Sequence, residues 1–168
     1  MKLTSTTAGN SARLIIESEA DSYSGVHFGD PSDEDAGRIR YYHGGSDSDH
    51  MQFSTGATER LRIRSTGNVL IQEGTFADRT LGVSAKLQIE GTGAPSSTVS
   101  VVRNSNDINP AYIHFGKSRG TAVGANTILQ TGDYIGTLAW YAGDGNDLYS
   151  EAAFIRACLL YTSPSPRD

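Results

Sequence analysis

From Arg60 to Arg64 arginines and aliphatic side chains alternate without a break, Arg60-Leu61-Arg62-Ile63-Arg64. Successive side chains of a β-strand point to opposite faces, so this pattern describes a strand with one apolar and one charged face. Ser65-Thr-Gly-Asn68 follows, and then the apolar run Val69-Leu-Ile71. Glycine and asparagine accept positive φ, so the segment reads as a hairpin turn between two strands. A chain that folds around such a hairpin must find neighbours for both strand edges and a cover for the apolar face.

The rest of the sequence supplies more strands and no helix. Further strands are expected at Ala12–Glu17, Gly25–Phe28, Arg38–Tyr42, Met51–Phe53, Ala85–Glu90, Thr98–Arg103, Ala111–Phe115, Tyr134–Tyr141 and Glu151–Arg156. A short helical turn is the alternative for the last of these. Turns rich in Gly, Asp, Ser and Asn separate them at short, regular spacing, as in β-sandwiches and meanders. With 19 Gly in 168 residues and only 20% charged residues, composition agrees with an all-β fold.

Two short motifs recur in the same order. Val26-His-Phe-Gly29 returns as Ile113-His-Phe-Gly116, and Gly37-Arg-Ile-Arg-Tyr-Tyr42 returns as Gly136-Thr-Leu-Ala-Trp-Tyr141. The wider spacing in the second copy places a longer loop within Lys117–Asp133. Duplication of a β module is the simplest source of such order. The expected organisation is a lead-in over 1–10, module 1 over 11–73, a connector with one strand over 74–97, module 2 over 98–157, and a tail over 158–168. Each module has about 60 residues, which is marginal for an independent core, so association between chains is expected.

Several function classes are excluded or demoted by composition. A net charge of -5 argues against a nucleic-acid backbone as partner, since phosphates call for a basic patch. No stretch approaches the roughly 20 apolar residues of a membrane helix. One cysteine, Cys158, provides neither an internal disulfide nor a Cys-based zinc site. No nucleophile triad, phosphate loop or cofactor motif occurs, and no cofactor is expected.

Candidate site residues each carry two readings. Arg60, Arg62 and Arg64 could grip an acidic glycan or phosphate through their forked donors, or form a solvated face paired with neighbouring acids; the second is preferred. Tyr42 and Tyr141 occupy matched repeat positions and face oppositely to Tyr41 and Trp140. They suit stacking on sugar rings or contact with another chain, while core packing accounts for one of each pair. His27 and His114 are also matched, and three copies meeting on an axis could bind a metal. With no second ligand near them in sequence, a structural role is preferred. Asp30, Asp33, Glu34, Asp35, Asp47 and Asp49 could form a glycosidase pair, but their Pro, Ser and Gly neighbours favour turn chemistry. Ala142-Gly-Asp-Gly-Asn-Asp-Leu148 is similar to one calcium-binding nonapeptide, a site that needs stacked copies. Its expected role is a hairpin loop.

Ala57-Thr-Glu-Arg-Leu-Arg-Ile-Arg-Ser-Thr-Gly-Asn-Val69 resembles a segment common in phage tail-fibre proteins, marine ones especially. Ile113–Ala122, Gly132–Gly136 and Gly143–Leu148 resemble the repeat of the same family, and the likeness spans most of Ser11 to Ala157. Val69-Leu-Ile-Gln72 departs from it, since relatives carry a Gly-Ile-Gly-Thr run there. The resemblance implies an elongated, all-β, homotrimeric fibre segment of a virion that positions or contributes to host-receptor adhesion. Its partners would be copies of itself and a host surface glycan or protein, without catalysis. A C-terminal intramolecular chaperone often follows such modules. Two alternatives are a carbohydrate-degrading tailspike domain and a calcium-dependent secreted adhesin repeat. Cys158–Asp168 resembles translated sequencing adapter, which implies a non-native tail and a biological chain that continues differently beyond about Ala157.

Overall fold

In the computed structural model, described over residues 14–45 and 48–160, the chain is almost entirely β. It divides into two compact units. The first takes in the chain up to Arg79 together with Ala85–Thr98; the second takes in Thr80–Ser84 and the chain from Val99 on.

The first unit is a meander. Strands β1 (Tyr23–Asp30), β2 (Asp33–Tyr42), β3 (His50–Thr55), β4 (Thr58–Arg64) and β5 (Val69–Gln72) pair in sequence order, each antiparallel to the one before. Turn chemistry sets each reversal. Between β1 and β2 the Asp30 carboxylate accepts bonds from the Ser32 backbone N–H at 2.7 Å, the Ser32 hydroxyl at 2.6 Å and the Asp33 N–H at 3.1 Å. Between β3 and β4, Gly56 and Ala57 both adopt positive φ, 56° and 57°, the two-residue geometry whose twist matches the flanking strands. The expected turn at Ser65–Asn68 forms, closed by Gly67 N–H to Arg64 O at 2.8 Å with Gly67 at φ 80°.

A sixth strand, β8 (Leu87–Glu90), comes from the connector and joins β5 in parallel, completing a sheet of order β1-β2-β3-β4-β5-β8. Between β5 and β8 lies the small hairpin of β6 (Thr80–Leu81) and β7 (Val83–Ser84), which belongs to the second unit. A one-turn 3-10 helix, Ala94–Ser97, follows β8.

The second unit contains the antiparallel pair β9 (Tyr134–Ala142) and β10 (Ser150–Cys158). Glu151–Arg156 is thus a strand, and the helical alternative does not occur. Cys158 closes the ladder opposite Tyr134, so β10 runs one residue into the segment expected to be a tail. Residues 1–10, most of that tail and the carboxylate of Asp47 lie outside the described residues.

Three expected strands differ. Residues 14–17, Thr98–Arg103 and Ala111–Phe115 have apolar alternation but no assigned strand. A strand exists only where a neighbour completes its ladder, and periodicity reports side-chain facing rather than a partner. Val99, Val101 and Val102 are correspondingly exposed.

The repeat survives this difference. Each motif copy lies on the first strand of an antiparallel hairpin, Gly37 opposite Thr55 in β2–β3 and Gly136 opposite Ala157 in β9–β10. The registers differ: β2–β3 pairs without a break, whereas β9–β10 carries a bulge between Glu151 and Ala153. Phe28 stands beside Gly37, and Phe115 stands beside Gly136. A Cβ placed on Gly37 would meet Phe28 Cβ at 3.4 Å; on Gly136 it would meet Phe115 Cβ at 2.8 Å. Ile113-His-Phe-Gly116 therefore occupies the place beside β9 that β1 occupies beside β2, without being a strand.

Candidate functional site

Paired residues of neighbouring strands share a face, so ladders can be followed across the sheet. One row runs Val26-Ile39-Phe53-Leu61-Ile71-Ile89 through all the strands and carries no polar side chain. On the other face a parallel row runs Arg40-Gln52-Arg62-Leu70-Gln88. In an ordinary two-layer protein the first row would be buried and the second wet. The burial is the reverse. Leu70 is the one fully buried large apolar side chain among the described residues, at 0% exposure, and Gln52 is 5% exposed. Phe28, on the apolar face, is 56% exposed.

The polar face is covered because the chain folds a strap over it and ties most of its groups down, while Arg38 Nε, Arg40 Nε, His50 Nε2 and Ser54 Oγ are buried without a hydrogen-bond partner. Gln72 mimics a backbone edge: its amide nitrogen donates to Ala77 O at 2.8 Å, and its oxygen accepts from Ala77 N–H at 3.0 Å. Asp78 then accepts from Arg64 at 2.6 Å, Gln88 at 3.1 Å and Asn68 at 3.4 Å. Arg62 grips Glu59 with two bonds, at 2.7 and 2.8 Å, and lies 5.0 Å from the centre of the Phe76 ring. Glu59 also accepts from Gln52, which accepts from Arg40 at 3.0 Å. Arg40 in turn lies 4.4 Å from the Tyr23 ring centre.

This arrangement breaks up the expected arginine stripe. A β-bulge sets Phe53 opposite Leu61 but Ser54 opposite Glu59, leaving Arg60 as the extra residue. Arg62 and Arg64 remain on the polar face, each already held by an acid. Arg60 is exposed and lines a cleft of about 320 Å³ with Glu73, Ser96 and the apolar side chains of Ile71, Ile89 and Pro95. Glu73 is held below the usual carboxylate range, first by the Ser96 hydroxyl and then by the Thr92 N–H, with the Arg60 charge adding to them. The bulge leaves no trace in the alternation, which is why the sequence places three arginines together.

Tyr42 packs on Tyr23 at 4.8 Å and on His50 at 5.3 Å between ring centres. The Tyr141 hydroxyl sits at the tip of the β6–β7 hairpin, 2.6 Å from where a Cβ on Gly82 would lie. Both tyrosines thus have neighbours within their own unit. Tyr41 and Trp140 fall on the opposite faces to them, as the alternation requires. Tyr41 donates to Asp49 at 3.2 Å, and desolvation, then the Asp49 charge, raises its pKa.

Each histidine has a local neighbour of its own. His27 pairs across the ladder with Arg38, His114 packs 4.9 Å from the Tyr112 ring, His43 lies 2.9 Å from the Ser24 hydroxyl, and His50 Nδ1 lies 2.7 Å from Ser48 O. No cluster of three or more His, Cys, Asp or Glu able to hold a metal occurs among the described residues. The acids close turns. Asp30 is lowered in pKa chiefly by the Ser32 hydroxyl, and Asp144 by the backbone N–H groups of Asp147 and Asn146. In the second unit Arg119 clasps Asp133 with bonds of 2.6 and 2.7 Å, which pulls that carboxyl far below its ordinary value.

The second unit repeats the exposed apolar face. Trp140, Leu138 and Ile155 lie on one side of the β9–β10 hairpin, and Trp140 is 52% exposed. A shallow cleft of about 280 Å³ opens among Phe115, Gly136, Leu138 and Ile155. Among the described residues no helix is long and apolar enough to cross a membrane. Comparison with protein-family models, curated proteins and solved structures gives no match to this chain.

Proposed function

We propose that the chain is a structural segment of a virion tail fibre, which forms a homotrimer and positions or contributes to adhesion at a host receptor. The observation that carries this reading is the return of the matched motif on an antiparallel hairpin in each unit, each hairpin with exposed apolar side chains. A modular rod needs repeated β units that complete their cores by association rather than internally. The resemblance of Ala57–Val69 and of Ile113–Leu148 to tail-fibre repeats points the same way.

The mechanism is geometric. Modules set end to end hold a distal tip away from the particle, and no bond is made or broken. Of the carboxylates that a tailspike hydrolase would use, Asp30 closes the β1–β2 turn, Asp33 accepts from the Asp35 N–H, Asp35 pairs with Arg38 and Asp49 accepts from Tyr41. The Asp30 pKa is lowered, where a general acid must keep its proton. The loop at Gly143–Leu148 is organised as a tight turn by Asp144 accepting from the Asn146 and Asp147 N–H groups.

Antibodies raised against the chain test the virion assignment by immunogold electron microscopy on phage whose genomes encode this reading frame. Gold along the tail fibres is the expected outcome. Gold confined to the capsid, or an encoded product absent from purified particles, would overturn it.

A further inference from the structure

Among the described residues, the apolar row is exposed at Val26, Ile39, Phe53 and Ile71 and half-buried at Leu61 and Ile89, with the 3-10 helix packed near β8, while the polar row behind it is covered by the strap. We infer that this face is the contact surface between copies of this chain, a second copy being its occupant.

Charge decides against an unrelated partner. Every cation on the polar side is already engaged: Arg38 with Asp35, Arg62 with Glu59, Arg64 with Asp78, and Arg79 with Glu90. The apolar row offers neither charge nor hydrogen-bond donor, so any occupant that brings charged groups leaves them desolvated and unpaired. A copy brings the same uncharged row, with Arg60 and Glu73 confined to the cleft at the β5–β8 end of the face. The extent also suits. Six strands make a face roughly 29 Å wide, and four to five residues of each make it roughly 15 Å long. With side-chain relief that approaches the ~800 Å² per partner of a stable interface. Obligate interfaces between like chains resemble a domain core cut in half, and among the described residues of this unit only Leu70 is a fully buried large apolar side chain. The same kind of face returns in the second unit at Leu138, Trp140 and Ile155, as expected if the surface is used in each module.

The inference rests on the self-association proposed above and adds which surface carries it. Thiol protection on the full chain tests the two separately. In a Cys158→Ser background, Ile39→Cys places one thiol on the apolar row, and His27→Cys places one on the opposite face of the sheet, where His27 is exposed. Each is treated with a maleimide while sedimentation equilibrium reports mass. The expected result is a multiple of the chain mass, with alkylation of Ile39→Cys slowed at least about tenfold relative to His27→Cys and restored in urea. A multiple mass with equal alkylation rates overturns this surface and leaves self-association standing. A single-chain mass, folded or unfolded, overturns both. Protection of Ile39→Cys that appears only when a different protein is added assigns the face to that protein and also overturns the inference. Phe53→Asp gives a second, independent reading: it is expected to reduce the assembly to single chains, and an unchanged mass counts against the surface.

Discussion

The hairpins β2–β3 and β9–β10 share a glycine beside a phenylalanine and an aromatic pair, yet they differ in what holds them. The first is flanked by β1 and β4 within a sheet of six strands. The second stands as a two-stranded ribbon, with Ile113–Gly116 laid beside it and no ladder between them. Forming a hairpin needs only local sequence, whereas being part of a sheet needs partners on both edges. A lone two-stranded ribbon is marginal in water, so the second unit depends more heavily on contacts beyond its own strands. The first unit has an additional device, the 73–79 strap, which turns a polar sheet face into an interior.

Removing that device should give the largest effect. Asp78→Ala strips Arg64, Asn68 and Gln88 of a shared acceptor on the covered face of the sheet. The expected cost is about 2–3 kcal/mol, read by urea denaturation of the first unit, with the β9–β10 hairpin unaffected. A loss shared equally by both units would break the comparison.

The glycine pair sharpens it. Gly136→Ala drives a methyl to 2.8 Å from Phe115 Cβ and 3.0 Å from its Cγ, whereas Gly37→Ala reaches Phe28 Cβ at an ordinary 3.4 Å. The first is expected to cost about 1–2 kcal/mol through overpacking. The second is expected to be neutral or slightly stabilising, since alanine loses less backbone entropy than glycine. Thermal melts of the two variants check this, and equal effects would mean that the two phenylalanines are not equivalent.

The Arg119–Asp133 clasp belongs to the second unit alone. The Asp133 pKa is lowered from its ordinary 3.8, first by Arg119 and then by the Gln130 N–H. A depressed carboxyl contributes stability above its unfolded pKa and loses it as pH falls through the folded one. The clasp is therefore expected to hold at neutral pH and to survive acidification past the ordinary value. Carboxyl carbon NMR should place the Asp133 midpoint below 3.8. A midpoint at or above that value would remove the clasp from the account.

The smallest effect concerns Ala57, whose φ of 57° is costly for a residue with a Cβ. Ala57→Gly should stabilise the β3–β4 turn by about 0.5–1 kcal/mol, measurable as a raised melting temperature.

Most of the first unit was legible in the sequence, because its strands alternate and its turns carry Gly, Asn or Asp at most of the positions that need them, Ala57 being the exception. Leu61 and Ile63, Tyr41 and Tyr42, and Trp140 and Tyr141 all fall on the faces the alternation assigns. Three features were not legible for physical reasons. The bulge that ejects Arg60 depends on the opposing strand and not on the Arg-Leu-Arg-Ile-Arg pattern itself. The strap acts through Gln72 and Asp78, whose partners lie elsewhere in the chain. Thr98–Arg103 and Ala111–Phe115 have strand-like residues without a strand, since a ladder partner is a property of the fold. The inverted burial of the sheet was foreshadowed only by the small size of each module.

Sedimentation equilibrium of the full chain tests the central claim most directly, that the open apolar face is completed by further copies. The expected mass is about three times 17.9 kDa, with β-rich circular dichroism. A well-folded species of 17.9 kDa, stable with that face in water, would contradict it.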